Sequence, residues 1–162
     1  MSEELTGIAK RIRREIFELE KIREHVLRRW QKASKDEDYL GSVAFDLQSL
    51  YQGVERVFET ISKSVDRSVP TGEKWHKMLL EQMANEVPGI RPAVISMRTR
   101  EALDNFRMFR IWRTIFTRSI WIREGLKALL RGCLELLILF ARIFLVLRIS
   151  WSNRRRIPHE AP

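Results

Sequence analysis

The sequence is poor in the residue types that build most small catalytic centres. Cys133 is its single cysteine, so an internal disulfide and a thiolate zinc cluster are both excluded. Its three histidines, His25, His76 and His159, include no pair at the i, i+4 spacing of a helical metal site. The seven glycines are scattered, and none forms a phosphate-binding Gly-rich loop. We therefore predict no metal and no cofactor.

A long uninterrupted apolar run is also missing. The most apolar segment, residues 133–149, is interrupted by Glu135, Arg142 and Arg148, whereas a membrane-spanning helix needs about 20 apolar residues. Binding of this segment to a membrane surface or a partner helix fits better, with Trp151 as an interfacial anchor. The chain does not start with a basic region followed by an apolar one, so we predict a cytoplasmic protein.

Acidic residues are scarce in the last third of the chain. Residues 1–106 contain 18 basic and 18 acidic residues, but residues 107–162 contain 12 basic and 3 acidic ones, and no aspartate follows Asp104. The whole net charge of +9 therefore lies in residues 107–162. A basic tail is typical of proteins that bind nucleic acid or an anionic membrane.

Apolar residues recur every three or four positions through most of the chain, which predicts amphipathic helices. We predict helices over about 3–30, 38–63 and 73–85, and a further helix that starts with Thr99 as its N-cap. No strand-like alternation competes with this pattern. The predicted fold is an all-α bundle of four to five helices, followed by a basic and apolar C-terminal helix.

Two features of this pattern point to possible chemistry. Arg107 and Arg110 are three residues apart beside Phe106, so both lie on one helix face. Guanidinium groups suit phosphodiesters, because the planar fork binds two oxygens and stays charged. The same spacing also fits a basic face that packs against acidic side chains. His76, beside Trp75 at a helix start, fits either an ordinary polar position or a binding role.

Five short segments resemble those of a known protein family and occur in the same order along the chain. They are YLGSVAFDLQ (39–48), GVERVFE (53–59), GEKWHKMLL (72–80), RPAVIS (91–96) and LDNFRMFR (103–110). This set resembles the HepT-like toxin family, a branch of the HEPN helical ribonucleases, over about residues 1–110. The resemblance implies a helical bundle that forms a homodimer with a composite RNA-cleaving cleft. It also implies a partner, an MNT-type nucleotidyltransferase antitoxin that modifies a tyrosine near the active site.

The family's motif combines arginine with a downstream histidine and an Asn-x-Tyr. Arginine neutralises the scissile phosphate, and histidine acts as acid or base on the RNA 2′-hydroxyl. In this chain Arg107 and Arg110 match the arginines, but Ile111 stands at the histidine position. Phe116 lies where the tyrosine is expected, and no tyrosine follows Tyr51. The resemblance thus predicts an endoribonuclease toxin of a type VII toxin-antitoxin pair, impaired because its proton-transfer group is missing.

The family motif stops at about the same position as the change in charge, near Ile111. This coincidence indicates that both changes have a single cause. Codons back-translated from Ile111 and read one base out of register restore a histidine, an Asn-x-Tyr and an acidic final helix. We therefore hypothesise a single-base shift at about codon 111, which sequencing of the gene tests. We predict a HepT-like domain over 1–117 and an aberrant tail over 118–162. The alternative is a non-catalytic helical protein that binds a nucleotidyltransferase or a membrane surface through this tail.

Overall fold

The computed structural model of the chain is built from helices. It describes residues 2–115 and 124–130, together with residues 132, 139, 142 and 143. Within these residues no strand forms, and one isolated antiparallel bridge joins Val87 to Arg91. The all-α prediction is therefore confirmed. The helices are α1 (Ser2–Ala33), α2 (Tyr39–Ile61), α3 (Trp75–Ala84) and α4 (Met97–Ile115).

The first two helices, α1 and α2, pack side by side and run antiparallel. Near one end of the pair, Arg29 Nη1 lies 2.7 Å from Asp46 Oδ2, and near the other Arg56 Nε lies 2.6 Å from Glu15 Oε1. Such partly exposed pairs contribute about 0.2–1 kcal/mol each. Most apolar residues of both helices are buried in the shared core, and their removal from water supplies most of the stabilisation.

The chain turns after α2 through an irregular segment. A π-helical turn, Ser62–Asp66, continues directly from α2, and Arg67 ends it in the left-handed conformation with φ of 55°. The loop that follows leads to α3, which begins at Trp75, two residues later than the sequence pattern predicted. The turn and the loop together bring α3 back against α2, so that the first residues of α3 lie beside α2.

The start of α4 differs from the prediction. The Ser96 hydroxyl oxygen accepts the backbone N–H of Thr99 at 3.0 Å and lies 2.8 Å from the Thr99 hydroxyl. Ser96 is therefore the residue whose side chain caps α4, and Thr99 lies inside its first turn. The prediction of Thr99 as the cap was wrong because the helix begins at Met97, three residues before the start at Arg100 that a Thr99 cap implies.

Part of the C-terminal third packs on α4. Residues 124–130 are helical, and Leu126 and Leu129 belong to the same buried core as the four helices. An added Cβ at Gly125 would lie 3.1 Å from the Phe109 ring, which shows how closely this segment approaches α4. In the ranges that the structure describes, no helix is long and apolar enough to cross a membrane.

Candidate functional site

Arg107 lies on α4 with its guanidinium group held by a neighbour one turn earlier. Its Nε donates to Asp104 Oδ1 at 2.6 Å, and its Nη2 lies 3.4 Å from Met108 Sδ. The hydrogen bond to Asp104 is the main cause that raises the pKa of Arg107. The side chain is 23% exposed. Arg107 therefore pairs with an acidic side chain, as one of the two interpretations of the sequence expected. Part of its side chain still reaches solvent.

An aromatic pair connects this part of α4 to α2. The Tyr51 ring stacks on the Phe106 ring with a centroid distance of 6.2 Å and an interplanar angle of 7°. The Tyr51 hydroxyl is buried and has no hydrogen-bond partner among the side chains that the structure describes. Burial, and next the negative charge of Glu55, raise the pKa of Tyr51 far above its ordinary value. The stack brings Arg107, the next residue after Phe106, beside the same face of α2.

Glu55 lies one turn after Tyr51 on α2 and binds the histidine of α3. The distance from Glu55 Oε1 to His76 Nδ1 is 2.5 Å. The His76 ring also stacks on the Trp75 ring, with a centroid distance of 3.6 Å. The Glu55 side chain is 6% exposed and that of His76 is 22% exposed. An almost fully buried carboxylate therefore orients a histidine that remains open to solvent on one side.

We call Tyr51, Glu55, His76, Asp104 and Arg107 the Arg107 cluster. Three helices contribute to it, and the charge of Glu55 acts on both Tyr51 and Arg107. The cluster combines Arg107, whose guanidinium group can donate hydrogen bonds to an anion, with a histidine. A cationic hydrogen-bond donor and an acid–base group are the two kinds of group that phosphodiester cleavage uses. Among the residues described, no group of three or more His, Cys, Asp and Glu side chains is placed to hold a metal ion.

The two carboxylates of the Arg107 cluster compensate the charge of Arg107. Binding of a polyanion would therefore need further positive charge nearby. Arg100 lies two turns before Arg107 on the same side of α4, and its Nε is buried without a hydrogen-bond partner among the described side chains. Arg110 and Ile111, the other predicted motif positions, also belong to α4, but their side chains lie outside what the structure describes. Phe116 lies outside the described residues.

The sequence pattern places Arg107 on one face of a helix, as observed, and singles out His76, but it does not bring the two together and misses the contributions of Tyr51 and Glu55. The helical period places Tyr51 on the apolar face of α2, and nothing in the sequence singles out Glu55 directly. One signal was present, since Glu55 follows Tyr51 by four residues and so shares the buried side of α2. A carboxylate at such a position is rarely buried without a partner. His76, for which two interpretations stood open, is that partner.

Comparison with known families agrees with the resemblance seen in the sequence. A family model described as HepT-like protein matches residues 42–127, just over half of the chain. The matched residues include Tyr51, Glu55, His76 and Arg107 and continue past Ile111. A search of curated proteins and a search of solved structures found no match.

Proposed function

The chain belongs to the HepT-like protein family, and we propose that it is the toxin of a type VII toxin-antitoxin pair. In this proposal it is an endoribonuclease that acts as a homodimer and is less active than a toxin with the complete motif. RNA is the substrate class, and Arg107 and Arg110 contact the scissile phosphate.

The position of Arg107 is the observation that carries this proposal. Asp104 holds the guanidinium group through Nε, which fixes its direction and leaves the terminal nitrogens to meet a phosphate. Nη2 contacts the Met108 sulfur, a weak acceptor that a phosphate oxygen would displace. The side chain is oriented and partly exposed, as a group that binds a charged substrate should be.

The reduced activity follows from Ile111. An isoleucine cannot accept or donate a proton, whereas a histidine at this place in the motif would lie one residue after Arg110 on α4. Loss of a general acid or base typically lowers the rate by about 10²- to 10⁴-fold. Phosphate binding does not depend on that group, so we expect RNA affinity to survive where turnover is weak.

The proposed partner is an MNT-type nucleotidyltransferase antitoxin. In the family this enzyme modifies a tyrosine near the active site, and this chain has no tyrosine after Tyr51. Tyr51 itself is buried and so is a poor acceptor for such an enzyme. We therefore expect a complex with the antitoxin that does not depend on modification of the tail.

The experiment compares RNA cleavage by four forms of the full chain. These are the unchanged chain, Ile111→His, Arg107→Gln in the Ile111→His background, and Arg28→Gln in that background as a control on an exposed arginine of α1. We expect Ile111→His to cleave faster than the unchanged chain. Arg107→Gln should lower that rate by about 10²-fold, while Arg28→Gln should leave it unchanged. Absence of cleavage by both the unchanged chain and Ile111→His, with folded protein present, would overturn the nuclease assignment.

The second candidate function is a non-catalytic interaction protein. It is favoured by one observation, the apolar residue at the motif's histidine position. This candidate predicts binding to the nucleotidyltransferase, or to anionic vesicles through the basic tail, with no RNA cleavage by any variant. Co-purification with the partner and vesicle sedimentation, run on the same preparations as the cleavage assay, separate the two candidates.

A further inference from the structure

A histidine that the family motif does not include lies in the Arg107 cluster. His76 is in the first turn of α3, and its Nδ1 is 2.5 Å from Glu55 Oε1. An ionised carboxylate can only accept a hydrogen bond, so Nδ1 carries the proton in this pair. In the neutral ring Nε2 is then the unprotonated nitrogen, free to accept a proton. The stack on Trp75 and the bond to Glu55 fix the ring from two sides.

Glu55 links this histidine to the phosphate-binding arginine. It lies one turn from Tyr51 on α2, and Tyr51 stacks on Phe106, the residue before Arg107. The negative charge of Glu55 also adds to the raised pKa of Arg107, after the larger effect of Asp104. His76 on α3 thus contacts the Glu55 carboxylate directly, and the charge of the same carboxylate acts on Arg107 of α4.

We propose that His76, oriented by Glu55, is the acid–base residue of the Arg107 site and stands in for the histidine that Ile111 replaces. This inference rests on the proposed RNA cleavage. A carboxylate that holds one nitrogen of an imidazole fixes its tautomer and stabilises the imidazolium that forms during proton transfer. Glu55 is a positioning residue in this arrangement, since it is 6% exposed and contacts the ring.

The chemical step needs only RNA, water and this chain. Nε2 of neutral His76 takes the proton of the RNA 2′-hydroxyl, and the 2′-oxygen forms a bond to phosphorus. The bond from phosphorus to the 5′-oxygen breaks, and that oxygen takes a proton from water. The imidazolium then returns its proton to the hydroxide that remains. The products are a 2′,3′-cyclic phosphate and a 5′-hydroxyl end, while Arg107 neutralises the phosphate oxygens.

The test measures kcat and KM for RNA cleavage by the full chain. His76→Gln keeps an amide N–H that can still donate to Glu55, but it cannot exchange a proton in this way. We expect kcat to fall by about 10²-fold or more with KM unchanged. His25→Gln, an exposed histidine of α1, is the matched control and should have no effect. Unchanged kcat in His76→Gln would overturn the inference.

Two further measurements separate a chemical role from a structural one. Imidazole in the buffer should restore cleavage to His76→Ala, because removal of the ring leaves a space between Trp75 and Glu55. In a double-mutant comparison, Glu55→Gln should lower kcat, and Glu55→Gln with His76→Gln should be no worse than His76→Gln alone. Failure of imidazole rescue in folded His76→Ala, or additive losses in the double variant, would indicate that the pair only stabilises the fold and would overturn the inference.

The Ile111→His background distinguishes failure of this inference from failure of the proposed function. There the new histidine can supply the proton transfer, so His76→Gln should cost much less than in the unchanged chain. Cleavage that depends on Arg107 but not on His76 in either background would retain the nuclease and reject the role of His76. Absence of cleavage in both backgrounds would overturn both proposals.

Discussion

Arg91 and Asp66 form a bidentate ion pair inside the protein. Arg91 Nε lies 2.6 Å from Asp66 Oδ1, and Nη2 lies 2.6 Å from Oδ2. The side chains are 0% and 2% exposed. Arg91 also donates to the backbone carbonyl oxygens of Gln82, Asn85 and Pro92 at 3.0–3.1 Å. One guanidinium group therefore joins the end of the π-helical turn after α2 to the C-terminal part of α3 and the link to α4.

The first prediction concerns this pair. Arg91→Met should lower the free energy of unfolding by about 3–5 kcal/mol, because it leaves the Asp66 carboxylate buried without a counter-charge. Urea denaturation measures the change. Arg56→Met is the matched control, since its pair with Glu15 is partly exposed and should be worth about 1 kcal/mol or less. Equal losses in the two variants would show that the buried pair does not hold the fold.

The second prediction concerns pH and Tyr51. Its pKa is raised from 10.0 in the folded protein, mainly by burial, so the phenol stays protonated there while the unfolded chain ionises near pH 10. Below pH 10 both states keep the proton, and this contribution to stability is fully present. Above pH 10 only the unfolded state loses it, so stability falls as pH rises, by up to about 1.4 kcal/mol per pH unit. Denaturation curves from pH 8 to about pH 11 should show the decline.

Tyr51→Phe isolates that effect. It should flatten the alkaline decline, and at neutral pH it should leave stability unchanged or raise it by about 1 kcal/mol, because it removes a buried hydroxyl without a partner. Tyr39→Phe is the control, since Tyr39 is only partly buried at the start of α2. The same alkaline slope in Tyr51→Phe and in the unchanged chain would contradict the prediction.

The helices could be predicted from the sequence because their apolar positions repeat at the helical period. That signal is local, and it located α1, α2 and α3 to within a few residues. The start of α4 was harder to predict, because Ser96 and Thr99 are both good capping residues and only the backbone path distinguishes them. The π-helical turn after Ile61 gave no sequence signal, since it continues the same helical pattern.

The candidate site was only partly predictable. Arg107 stood out because it matches a family motif, and the helical period determines the face of α4 on which it lies. The hydrogen bond between Glu55 and His76 joins two helices. Whether it forms depends on how α2 and α3 are rotated relative to each other. That rotation follows from the packing of Trp75, Leu79 and their neighbours, which spacing along the chain does not encode.

The third prediction concerns the cap of α4. Ser96→Ala should lower the free energy of unfolding by about 1 kcal/mol, because the Thr99 N–H at the helix start loses its acceptor. Ser96→Asp should retain most of the stability, since a carboxylate can also accept this bond. Thermal unfolding followed by circular dichroism measures both. If Ser49→Ala, at a partly buried position inside α2, costs as much as Ser96→Ala, the capping role is excluded.

The fourth prediction tests the boundary proposed at residue 117. Leu126 is fully buried in the same core as the helices before it, so Leu126→Ala should lower the free energy of unfolding by about 2–5 kcal/mol. A tail that folds independently of the domain, or does not pack on it, would make this substitution almost neutral. Lys127→Ala, next to it and exposed, should change stability by less than about 0.5 kcal/mol. Urea denaturation of the full chain, followed by tryptophan fluorescence, gives both values. A loss at Leu126 and not at Lys127 would show that residues 124–130 complete the core of the bundle, and the boundary would then have to move beyond residue 130.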